Sequence, residues 1–339
     1  MLQGKQSWRF EPPPVVLGYA SVVGPEEGKG PLASDFDQVH DDLRLGQKSW
    51  ELAEQQFLER AVNRAIEKSG ADKSRIDFYV GGDLMNQITS TSFVARTVGI
   101  PYLGVFGACS TAMESAAVAA QLVSTGAANL AIAATGSHNC TAEKQFRYPT
   151  EYGSQKPPTA QFTVTGGGAA VIGAAGKGPK VMRATIGKII DMGIKNPFNM
   201  GAAMAPAAVD TIAQHLEDFA LEPSYYDLIV TGDLAQIGHS LARDLFAERQ
   251  IPIDQTVFSD CGLLIFDRER QQVQAGGSGC GCCATVTYGH LFNRMSRGEL
   301  KRVLVVATGA LLSPLSYQQG ESIPCVAHAV AFEAEGGER

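Results

Sequence analysis

Apolar residues recur at helical spacing between Leu52 and Ile66. Leu52, Ala53, Phe57, Ala61, Val62, Ala65 and Ile66 share one stripe, which predicts a helix with a single buried face. The run IDFYVGGDL from Ile76 is short, apolar and broken by glycine, as a buried strand would be. Val94 and Val98 mark another helix, ahead of a predicted strand YLGVF from Tyr102. No Asp, Glu, Lys or Arg occurs between Glu114 and Glu143, a stretch longer than the roughly 20 residues that cross a bilayer. Gln121, Ser124, Thr125, Gly126 and Asn129 interrupt it, so it divides into a buried helix, a turn at STGAAN and a buried strand LAIAAT. The alternation of helix and strand predicts parallel sheets with helices on their faces.

The same order returns in the second half. DFYVGGDL from Asp77 is echoed by DLIVTGDL from Asp227, an offset of 227 minus 77, or 150 residues. GIPYLGVF from Gly99 pairs with QIPIDQTVF from Gln250, and NLAIAATG ending at Gly136 pairs with RVLVVATG ending at Gly309. Three matches in one order, with Gly-Asp-Leu twice at the same place, point to duplication. The expected halves are residues 1–185 and 186–339, divided within the Gly and Pro-rich stretch from Gly176 to Pro206. Their equivalent turns would face a shared cleft, where ligands of such folds gather at the carboxyl ends of strands.

Composition narrows the function. The chain has 339 residues, 45% of them hydrophobic, and a mean hydropathy near zero, which fits a folded globular protein. A net charge of -7 with no basic run argues against nucleic acid as a partner. The N-terminal MLQGKQSWRFEPPP lacks the apolar core of a signal peptide, and no anchor or lipidation motif is evident. Seven scattered cysteines do not make a disulfide framework, so a reducing interior is expected.

The candidate chemistry centres on FGACSTAME, from Phe106 to Glu114. Cys109 stands between a strand and an alanine-rich helix, where a nucleophile elbow places its thiol and where unpaired N–H groups favour an anion. Its counterpart in the second half is the glycine-rich run AGGSGCGCCA, Ala275 to Ala284. Cys280, Cys282 and Cys283 lack the paired spacing and the histidines of a zinc site, so no metal is assigned to them, and small residues packing a helix onto the sheet explain them better. Asp83 and Asp233, matched by the repeat, are expected to bond local N–H groups in turns.

An elbow cysteine in a duplicated α/β frame, with GGGAAVIG at Gly166 to Gly173, resembles the thiolase and β-ketoacyl synthase superfamily. The strings GKQSW, FGACSTAME, SHNCTAEKQFRYPTEYGSQKP, MAPAAVDTI, DCGLLIF, GGSGCGCCATVTYGH and VVATGALLSP resemble, over essentially the whole chain, the stage V sporulation protein AD family. That resemblance implies a duplicated thiolase-like five-layer αβαβα fold and no cofactor. It implies a binder of dipicolinic acid, free or as its calcium chelate, acting in uptake into the developing spore. It further implies a homodimer, peripheral at the inner spore membrane beside other proteins of its operon.

Condensing enzymes of the superfamily set two polar partners, commonly histidines or a histidine and an asparagine, opposite the cysteine. Here the first place reads VTGDLAQ, leaving Gly232 or Asp233 according to a one-residue register choice. The second reads GGSGCG, leaving Gly277 or Ser278. His239 lies further on, inside a predicted helix, as a solvated or capping residue. Two such losses would cost a condensing enzyme most of its rate, since each positioned acid or base contributes about 100-fold to 10,000-fold. The expectation is therefore a non-enzymatic ligand site drawing on Cys109, His138, Arg147, Tyr148, Gly277, Ser278, Thr308 and Gly309. Glycines and helix amides would receive carboxylates, Arg147 would clamp one, and Tyr148 would stack on a ring. For the loop holding Arg147 and Tyr148, the alternative is a surface or dimer segment. For the whole protein, it is an acyl-thioester condensing or acyl-transfer enzyme using Cys109, with Asp233 or His239 as base.

Overall fold

The computed structural model describes residues 1–147 and 156–335, the side chain of Arg147 excepted. One set of strands comprises β1 (Val15–Val23), β2 (Phe78–Gly82), β3 (Tyr102–Gly104), β4 (Leu130–Ser137) and β5 (Gly166–Gly173). A second comprises β6 (Lys180–Ile186), β7 (Leu228–Thr231), β8 (Phe258–Asp260), β9 (Arg302–Ala310) and β10 (Cys325–Glu333). Their order is β8-β7-β9-β10-β6-β1-β5-β4-β2-β3, so each strand of the first set mirrors the strand five places later. The directions repeat as well. β2 runs parallel to β3 and β4, while β5 runs antiparallel to β4 and β1. β7 runs parallel to β8 and β9, while β10 runs antiparallel to β9 and β6. The three sequence echoes fall on the pairs β2 and β7, β3 and β8, β4 and β9. β6 spans the expected division at 185/186, and the two sets touch through one pairing, Lys180 with Val15.

The prediction of parallel sheets is corrected to mixed ones. A parallel neighbour needs a crossover over the sheet face, whereas the chain leaving β4 and β9 turns back at the strand ends and pairs antiparallel.

The helices form the remaining layers: α1 (Trp50–Ser69), α2 (Thr89–Val98), α3 (Thr111–Ser124), α4 (Asn139–Arg147), α5 (Met200–Phe219), α6 (Ala235–Glu248) and α7 (Cys280–Thr285). Phe57, Ala61 and Val62 of α1 and Val94 and Val98 of α2 pack on Ala20, Tyr79, Ile132 and Val171 of the first set. Met204, Ala208 and Ile212 of α5 and Ala242 and Phe246 of α6 pack on Ile229, Leu304, Val306 and Ala329 of the second. Between the sheets, Met113, Ala117 and Ala120 of α3 and Cys282 and Cys283 of α7 meet Val80, Ala133 and Ala170 on one side and Val305, Ala307 and Val330 on the other. Helix, sheet, helix, sheet, helix: this is the five-layer αβαβα arrangement. The predicted stripe of α1 holds except at Leu52, which is 40% exposed in the first turn beside the Ser49 cap.

Close layers demand small residues. A side chain at Gly18 of β1 would begin 2.3 Å from Ser69 N and 2.5 Å from Ala65 O of α1. Since α1 must shift to admit a methyl group there, Gly18→Ala should destabilise the protein by about 1–3 kcal/mol, read as a lower denaturant midpoint. An unchanged midpoint would contradict this packing.

Candidate functional site

The elbow is built by short-range bonds. Ala108 takes a left-handed conformation, φ 52°, and Cys109 follows in the turn Ala108–Ser110 that leads into α3. Ser110 Oγ and Ser110 N both donate to Gly107 O, and Thr111 Oγ1 and Thr111 N both donate to Ala108 O. The first amides after Cys109, expected to receive an anion, are thus spent within the turn. Gly309, at the end of β9, presses on the elbow: a side chain there would begin 2.1 Å from Gly107 O.

Opposite the thiol stands Asp233, just beyond β7. This settles the register left open between Gly232 and Asp233, and it corrects the expectation of a local turn residue. Asp83 does behave that way, accepting from Met85 N and Thr91 N at 2.7 Å each. Asp233 instead gathers donors from across the fold. Oδ1 accepts from Thr308 Oγ1 at 2.7 Å, and Oδ2 accepts from Gly279 N at 2.9 Å and Ser278 Oγ at 3.3 Å. The Cys109 thiol lies close enough to the same carboxyl for the two groups to shift one another's protonation. Burial pushes the Asp233 carboxyl up to about 6, and these hydrogen bonds oppose the rise. Asp260 lies nearby and caps α6 by accepting from Leu234 N and Ala235 N at 2.8 and 2.9 Å; burial pushes it up to about 7.

The thiol feels both burial and that carboxylate. Desolvation first, and the negative charge of Asp233 second, raise Cys109 well above its ordinary value. An imidazolium partner would do the opposite.

Beside Cys109 lies a narrow cavity of about 50 Å³. Leu84, Phe106, Phe146, Phe198 and Leu312 contribute apolar walls, while Gln161, Thr163, Ser278 and Glu143 contribute polar edges. α4 closes one side, because Gln145 Nε2 donates to Leu84 O and Gln145 Oε1 accepts from Asn86 N, both at 2.9 Å. Glu143 pairs with Lys156 at 2.6 Å.

The expected site residues separate. Cys109 and Ser278 line the cavity. Thr308 reaches it through Asp233, Gly309 backs the elbow, and Gly277 pairs with Phe162 in a short ladder. His138 sits elsewhere: its ring lies against Trp50 and Phe57, Nε2 bonds Leu43 O at 2.9 Å, and Nδ1 accepts from Cys140 N at 3.1 Å. The side chain of Arg147, and Tyr148 altogether, lie outside the described residues. His239 stacks on Phe258 at 4.6 Å rather than capping a helix. Gln161 and Glu143 were missed. Gln161 Nε2 donates to Asp233 O at 2.5 Å, a partnership across 72 residues that no local pattern announces.

These shifts have a measurable consequence. Alkylation of Cys109 by iodoacetamide should be slow at neutral pH, with its inflection well above that of a free thiol. Asp233→Asn removes the negative charge and should move the inflection to lower pH. A wild-type inflection at or below the free-thiol value would refute this electrostatic account.

A family model described as Stage V sporulation protein AD matches residues 4–333. Stage V sporulation protein AD of Bacillus subtilis (strain 168) is 53% identical over 336 residues, covering 99% of each chain. Among solved structures, 3-oxoacyl-[acyl-carrier-protein] synthase III from Aquifex aeolicus VF5 aligns at TM-score 0.58 with 12% identity, over 94% of this chain and 99% of that one. Cerulenin-bound OleA of Xanthomonas campestris, from a soaked crystal, aligns at TM-score 0.60 with 14% identity, over 97% and 99%. These likenesses carry the fold, and the full-length match carries the family. The chain belongs to the stage V sporulation protein AD family and has its thiolase-like fold.

Proposed function

We propose that this sporulation protein is a binder rather than a condensing enzyme, and that the cavity beside Cys109 takes dipicolinic acid, free or as its calcium chelate, to support uptake into the spore. One observation carries the reading: the group facing the thiol is a hydrogen-bond-accepting carboxylate. A base that is to activate a thiol must take its proton readily, and a carboxyl near 6 beside a thiol raised far above its usual range is poorly matched for that. The apolar walls suit the faces of a pyridine ring.

The same reading places the protein peripherally at the inner spore membrane, beside other proteins of its operon. No helix among the described residues is long and apolar enough to cross a bilayer. A homodimer would form along β3, an edge strand on which Leu103 is 40% exposed, since an apolar open edge is a template for a second copy.

Calorimetric titration with dipicolinate should give saturable heat, with benzoate far weaker; equal heats would argue against a dedicated site. Arg147→Ala should weaken dipicolinate binding by about 1.5–3 kcal/mol if the guanidinium clamps a carboxylate, and an unchanged affinity would remove Arg147 from the pocket. The acyl-enzyme alternative is tested by mass spectrometry after incubation with acyl thioesters. No turning-over adduct at Cys109 is expected, and finding one would revive condensation.

A further inference from the structure

Two carboxyls are buried near one another, Glu54 of α1 at 1% exposure and Asp83 just beyond β2 at 0%. Their hydrogen bonds set them apart. Asp83 accepts from Met85 N and Thr91 N, so its negative charge is met by two backbone dipoles. Glu54 has no such pair among the described residues. Its Oε2 bonds Thr141 Oγ1 in the first turn of α4, and its Oε1 is buried with no hydrogen-bond partner among the described residues. Ser90, whose Oγ is likewise buried and unbonded, lies close by. Thr141 decides where the protons are. Its Oγ1 also stands 2.9 Å from His138 O, and a carbonyl can only accept, whereas one hydroxyl has one proton to give. With that proton on His138 O, the bond between Thr141 and Glu54 takes its proton from Glu54. An ionised Glu54 would instead draw the hydroxyl proton away, and would still leave Oε1 as a buried charged oxygen with nothing bonded to it, at high cost.

We propose that Glu54 is a carboxylic acid at neutral pH and that its proton latches the first turn of α4 to α1, so that losing the proton loosens one wall of the cavity. The latch stands whatever the cavity takes. α4 contributes Ala142, Glu143 and Phe146 to that wall. The groups that face Glu54 resist the loss of its proton. Asp83 beyond β2 and Glu51 on α1 repel a further negative charge, while the Cys280 thiol at the head of α7 and the Ser90 hydroxyl of α2 bring no cation. Lys144 of α4 is taken by Glu51 at the exposed edge. Burial first, and the charge of Asp83 second, push Glu54 well above the ordinary carboxylate range. A carboxyl raised on folding contributes its full stabilisation below its unfolded value and loses it as pH climbs through the folded one. The latch is therefore closed in acid and at neutrality, and it opens in alkali.

The test follows amide hydrogen exchange of α4 in the full chain by mass spectrometry, corrected for the intrinsic rate and taken relative to α5, whose amides report any global loosening. Wild-type protection of α4 should fall at least about tenfold between about pH 6 and about pH 9. Glu54→Gln keeps a donor for Thr141 and cannot ionise, so its α4 should stay protected to within about twofold over the same range. Thr141→Val removes the acceptor and should loosen α4 already at about pH 6, with Thr141→Ser restoring it. The infrared difference between wild type and Glu54→Gln at neutral pH should contain the carbonyl absorption of a protonated carboxyl. A wild-type α4 whose protection does not change with pH, the same fall in Glu54→Gln, full protection in Thr141→Val, or a carboxylate signal in the infrared difference would each overturn the latch. The wild-type profile and the two Thr141 variants decide the matter even if Glu54→Gln does not fold.

Discussion

The site depends on one buried carboxylate and the donors drawn to it. Asp233 is fully buried, and a charge in such a place is costly unless it is hydrogen-bonded on every side. Thr308, Gly279 and Ser278 supply donors from the second set of strands and its glycine turn, and the Cys109 thiol of the first set faces the same carboxyl. Hydrogen bonds to a charged group contribute about 1.5–3 kcal/mol each. Asp233 therefore ties the end of β9 to the glycine turn ahead of α7, and its negative charge beside the elbow keeps the Cys109 thiol protonated.

That convergence requires the two halves to approach more closely than ordinary side chains permit. Gly309 meets the elbow backbone, a side chain at Gly281 would begin 2.5 Å from Ser137 Oγ, and one at Gly168 would begin 2.7 Å from the Ala284 backbone. Cys280 donates to Gly136 O at 3.0 Å from the first turn of α7, and Cys282 and Cys283 pack in the core between the sheets. Small residues at these contacts bring the strand ends together. They also leave the cavity beside Cys109 narrow, at about 50 Å³.

Much of this was legible in the residues. The echo of DFYVGGDL in DLIVTGDL places Asp83 and Asp233 at equivalent strand ends, and FGACSTAME announces the elbow, because both signals are local. What each aspartate bonds is not local. Asp83 finds Met85 and Thr91 a few residues on, while Asp233 finds partners 45 to 75 positions on, at Ser278, Gly279 and Thr308. His138 misled for a related reason: it follows a strand end, as a cleft residue should, but the start of α1 covers it with Trp50. Gln161 gave no signal, since its importance comes from which of its two amide atoms is engaged.

The electrostatics of the elbow separate this chain from a thiol enzyme built on the same frame. Besides Asp233, Glu114 leans over Gly107, with Oε2 2.8 Å from where a side chain would begin, and burial pushes that carboxyl up to about 7. The carboxyl of Asp233 faces a thiol whose neighbouring amides are already bonded within the turn. A field of that sign disfavours both the thiolate and the oxyanion on which acyl transfer depends. The frame therefore aligns with those of condensing enzymes, while the carboxyl that faces the elbow cysteine keeps its thiol protonated.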